Sequence, residues 1–165
     1  MENILHDILK TLEANAALLG LSYIDEDFGQ LESLDNETDC YPLTFPAVLV
    51  SVDNVVWENT GQRNQTGNAT ITVRLLVDCY DDTHAGSTTI EDVLRRCALN
   101  RGLTDLLHGL RVCENNGMLT RVSSRTYNAP HLIKVYESVY SCVVWEKFGG
   151  SQTTALQNIR ITPVS

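Results

Sequence analysis

The run Ala69-Thr70-Ile71-Thr72-Val73-Arg74-Leu75-Leu76-Val77-Asp78-Cys79 decides the fold class. Ala69, Ile71, Val73, Leu75, Val77 and Cys79 alternate with Thr70, Thr72, Arg74, Leu76, Asp78 and Tyr80. A period of two belongs to a strand, because successive side chains leave a pleated backbone on opposite faces. One face therefore meets a core, and the sheet needs something packed against it.

Working back, Pro46 to Val52 places Val48, Val50 and Val52 on one face and continues through Val55, Val56 and Trp57, with Asp53-Asn54 read as a bulge. Glu58 to Asn68, rich in Asn, Gln, Gly and Thr, reads as a hairpin loop much longer than usual, a polar arm with Trp57 at its base. Before these strands, Ile4, Leu5, Ile8, Leu9, Leu12, Ala16 and Leu19 recur at helical spacing, and Gly20 is a suitable stop. Residues 21–46 form a long acidic loop region without Lys or Arg, in which Tyr23-Ile24 and Phe28 read as a short edge strand or an anchor.

Working forward, Ser87-Thr88-Thr89 with Glu91-Asp92 has the chemistry of a helix start. Ile90, Val93, Leu94, Cys97 and Ala98 supply the apolar stripe, and Gly102 is expected to break or kink the helix before a short one from Leu103 to Leu110. Met118 to Tyr127 and Leu132 to Phe148 read as two further strands, and Ile159 to Val164 of the tail 149–165 as an edge strand. The order α-β-β-α-β-β predicts an α+β fold, a mainly antiparallel four-stranded sheet with helices packed on it, in a single domain spanning 1–165.

Charge narrows the function. The 165 residues hold 12 Lys+Arg and 21 Asp+Glu, a net charge of -9, which argues against specific nucleic-acid binding. Residues 1–62 contain 12 Asp+Glu and only Lys10, a net of -11, while residues 63–165 hold 9 Asp+Glu and 11 Lys+Arg, a net of +2. No apolar run is long enough to cross a membrane. The five cysteines lack metal-site spacing and read as reduced and structural, as in a cytoplasmic protein.

For catalysis, the strongest constellation is Asp78, Asp81, Asp82 and His84, whose carboxylates and imidazole suit a divalent cation in a small metal-dependent enzyme. Turn chemistry between a strand and a helix explains the same residues more simply, and neither a catalytic site nor a cofactor is expected. Arg121 and Arg125, four residues apart, are expected to share a face of the third strand, either as a solvated basic edge or as a patch that meets the acidic Asp25, Glu26 and Asp27 of a neighbouring copy.

The layout, with Phe45-Pro46-Ala47-Val48-Leu49-Val50, the strand Ala69 to Val77 and the helix over Thr88 to Leu94, resembles the tail terminator (tail completion) proteins of tailed bacteriophages and prophages. The resemblance covers most of the chain and rests on layout. It implies a structural subunit without cofactor, forming a homo-oligomeric ring, typically a hexamer, that caps the tail tube and joins it to the head. The implied setting is the bacterial cytoplasm during assembly and then the virion tail. Tail-tube and head–tail connector proteins would be partners, and a connector or neck component is the alternative. Trp57, Glu58, Arg63, Arg121, Arg125, Asp25, Glu26 and Asp27 are the expected interface residues.

Overall fold

The computed structural model describes residues 2–34, 42–61, 63–80, 83–113 and 116–148. Helix α1 (Glu2–Leu19) leads into β1 (Tyr23–Glu26), β2 (Ala47–Gly61), β3 (Asn64–Asp78), α2 (Glu91–Leu107), β4 (Thr120–Ala129) and β5 (Ile133–Lys147). These strands form one sheet in the order β1-β2-β3-β5-β4. The α+β class matches the sequence reading.

The sheet has five strands, and β1 runs parallel to β2, from Tyr23 beside Ala47 to Glu26 beside Val50. A parallel neighbour needs a crossover of about a dozen residues or more, and residues 27–46 supply it. The acidic region therefore begins as a strand, and its described residues 27–34 start the return path. Gln30, fully buried, pins that path: its Nε2 donates to the Glu26 carbonyl at 2.6 Å and its Oε1 accepts from Phe28 N at 2.9 Å.

The front of the sheet carries the larger core. Ile4, Ile8 and Leu12 of α1 and Leu103 and Leu107 of α2 pack with Val48, Val50, Ile71, Val73, Leu75 and Tyr140. On the back, Leu31 from the crossover covers Ala47, Leu49, Leu76, Ile133 and Val135. Leu76, assigned by alternation to a polar face, is buried because this second layer exists. Gly20 ends α1 at φ +68°, as its position predicts.

Three local expectations are corrected. The stretch Glu58 to Asn68 is strand almost throughout, for β2 reaches Gly61 and β3 begins at Asn64, with Trp57 beside Gly67 and Asn59 beside Gln65. Its polar composition misled because this ribbon extends beyond the core and most of its residues are exposed on both faces, so no hydrophobic alternation marks it. Gly102 neither breaks nor kinks α2 into two helices; a Cβ there would lie 3.0 Å from Leu19 Cδ2, so this glycine is where α1 and α2 approach. Finally, Ile90, Val93, Leu94 and Cys97 are exposed, and α2 begins after Ile90 without a side-chain cap. The helix buries its C-terminal half instead.

The expected tail strand lies outside the described residues.

Candidate functional site

The outer parts of β2, β3 and β5 form a three-stranded arm in which β3 and β5 stay in register to Asn64 beside Lys147, while β2 shifts register against β3 between Asn59 and Gly61. Phe148 N donates to the Arg63 carbonyl at 2.7 Å and closes the tip, and Arg63 takes φ +63° in the turn. Alternation gives the arm two unlike faces. The front joins the main core: Val144 is buried, and Val55 and Trp57 are partly buried around Gly67. Trp57, at the base of the arm, is half-buried and packs against the core cluster.

The back of the arm has no cover among the described residues. Val56, Val143 and Trp145 are 61%, 45% and 56% exposed and share this face, because Val56 and Val143 flank Asn68 while Trp145 flanks Thr66. Phe148 adds an exposed ring at the tip. A groove of about 630 Å³ beside Trp145 is lined by Thr60, Asn64, Gln65, Glu146 and Lys147. Sequence reasoning missed Trp145. Its signal was the inward alternation of Tyr140, Cys142 and Val144, which sends Val143 and Trp145 outward.

Charges on the back of the sheet are mostly used within the chain. Arg74, with a side chain 11% exposed, pairs with Asp27 and with Glu32, the latter at 2.5 Å. Burial alone would lower the Arg74 pKa, but hydrogen bonds to Glu32 and Asp27 outweigh it and the value rises. The same Arg74 hydrogen bond holds Glu32 below its ordinary value. Asp25 accepts from Tyr23 Oη at 2.7 Å and from Glu26 N at 2.8 Å. Asp25, Asp27 and Glu32 are thus engaged within their own chain, while the Glu26 side chain is exposed.

Arg121 and Arg125 lie on opposite faces. A register shift between Arg121 and Ser123 puts Arg121 beside Tyr140 and Arg125 beside Glu137. Arg121 Nη1 donates to Thr104 Oγ1 at 3.1 Å on the helix side. Arg125 grips Glu137 through Nε at 2.7 Å and Nη2 at 2.9 Å, and its guanidinium lies 5.1 Å from the Tyr127 ring centre. The Glu137 carboxylate raises the Arg125 pKa. Glu58 and Asp53 remain exposed along β2.

Among the described residues no group of three or more His, Cys, Asp and Glu side chains converges on a common point. Asp78 ends β3 beside Ile133, whereas Asp81 and Asp82 of the candidate cation cluster lie outside the described residues. No described helix is long and apolar enough to cross a membrane.

No family model and no curated protein matches the chain. Solved structures do, among them a chain from the "Virion of native gene transfer agent (GTA) particle". The TM-score is 0.54 at 12% identity, over 87% of this chain and 96% of that one. The two chains share a fold, and the matched chain belongs to a virion particle.

Proposed function

We propose that this protein is a structural subunit of a phage-like virion, and specifically a tail terminator whose copies form a ring that caps the tail tube and joins it to the head. The observation that carries the reading is the arm, with Val56, Val143 and Trp145 exposed together on one side. Large apolar side chains clustered on a protruding, polar-rimmed surface mark a contact with another protein. The fold shared with a virion chain supports the same class. Tail-tube and head–tail connector proteins are the proposed partners, met in the bacterial cytoplasm and retained in the virion tail, and the role requires neither cofactor nor catalysis.

The test mixes the purified protein with candidate tail-tube and connector proteins from the same genome and follows assembly by electron microscopy and sedimentation. Rings seated on tube ends are expected, and Trp145→Ala should remove them while leaving the thermal melt unchanged. Binding to the connector alone would overturn the terminator assignment in favour of a neck component. No binding to either would overturn both.

A further inference from the structure

The sheet ends in two edges of opposite charge. Beyond Val50, where β1 stops, the outer side of β2 carries no strand among the described residues as far as Gly61. At the other end of the sheet, β4 pairs only with β5 among the described residues. An unpaired edge is a template for another strand, and long edges are normally blunted or covered. The free part of β2 carries Asp53 and Glu58 and no Lys or Arg, whereas β4 carries Arg121 and Arg125 and no acid. Asp53 accepts from Thr72 Oγ1 on the back face, and register puts Glu58, beside Thr66, on that same face. Arg125, paired with Glu137, shares it.

We propose that the free edge of β2 in one copy pairs with β4 of the next, joining neighbouring subunits by one continuous sheet with Glu58 set against Arg125. The inference rests on the ring reading above and names its seam. Direction is consistent: β2, β3, β5 and β4 alternate in sense, so two copies in the same orientation present β4 to β2 as an antiparallel pair. The contact is head-to-tail, the kind that generates rings. Level also matters. Through Ser141 and Thr70, Thr120 is level with Asn54, so β4 meets the farther half of β2 only if the copies are staggered along the strands. A closed sheet requires such a stagger, with strands tilted to its axis. Arg125 has capacity for a second carboxylate, because Glu137 occupies Nε and Nη2 and leaves Nη1.

Charge reversal tests the seam. The midpoint concentration of self-association is read by sedimentation for wild type, Glu58→Arg, Arg125→Glu and an equimolar mixture of the two variants. Each variant alone should associate at least roughly tenfold more weakly, because each seam then sets like charges together. The mixture should recover the wild-type midpoint, since alternating variants restore opposite charges at every seam. Reversing Arg125 also places two carboxylates together beside Tyr127, so Arg125→Gln, which keeps a hydrogen-bond donor beside Glu137, provides a second variant, expected to weaken association when compared with wild type at a temperature where its melt shows it fully folded. Glu58→Arg and Arg125→Gln associating like wild type would overturn the seam while leaving the ring standing. A wild type that never associates, alone or with tube protein, would overturn the ring reading itself.

Discussion

Gly67 on β3 stands directly across from Trp57 on β2, and the indole fills the space a side chain at 67 would take. A Cβ there would fall 2.7 Å from Val55 Cγ1 and 2.8 Å from Trp57 Cε3. Replacing a strand glycine normally gains about 0.5–1 kcal/mol, but overpacking costs about 1–3 kcal/mol. Overpacking wins here, because two side chains must move together. Gly67→Ala should lower stability in urea by about 1 kcal/mol and alter Trp57 fluorescence, and a stabilised variant would contradict the packing described.

Gly102 gives the opposite sign. A Cβ would meet only Leu19 Cδ2 at 3.0 Å, the free end of a partly exposed side chain. That rotamer can give way, whereas Gly in a helix interior costs about 1 kcal/mol relative to Ala. Gly102→Ala should therefore stabilise by about 0.5 kcal/mol in thermal unfolding.

Asp27 depends on Arg74. Both side chains are 11% exposed, while Glu32 is 61% exposed and contributes little by itself. Arg74→Met would strand the Asp27 charge and should cost about 3 kcal/mol. Adding Asp27→Asn should recover part of that loss, and chemical denaturation of the two variants measures the difference.

Asp7 ties the first helix to a distant loop. Its Oδ2 accepts from Cys113 N at 2.9 Å, and that hydrogen bond is the main reason its pKa lies below the ordinary 3.8. Because the folded value is depressed, this stabilisation is complete above 3.8 and disappears as pH falls through the lower folded value. Asp7→Ala should cost about 1 kcal/mol at neutral pH and flatten the loss of stability below about pH 4, as followed by melts across an acid series.

Alternation and helical spacing were legible wherever one side of an element faces the main core. The β3 period, the α1 stripe and the stop at Gly20 all appear where sequence reasoning put them. Elements beyond that core were not legible. Strand β1 pairs through four residues, and the Glu58–Asn68 part of the arm is polar and largely exposed, so neither leaves a strong period.

Sequence by itself determined the α+β class, the antiparallel core pair and an acidic first third, because burial on one face writes a period into the chain. Tertiary structure alone decided where the charges and tryptophans act. The crossover brings Asp27 and Glu32 to Arg74, the register shift near Arg121 turns it away from Arg125, and strand register packs Trp57 against the core side while exposing Trp145. Each depends on which strands become neighbours and in what register, a long-range choice that local sequence does not encode.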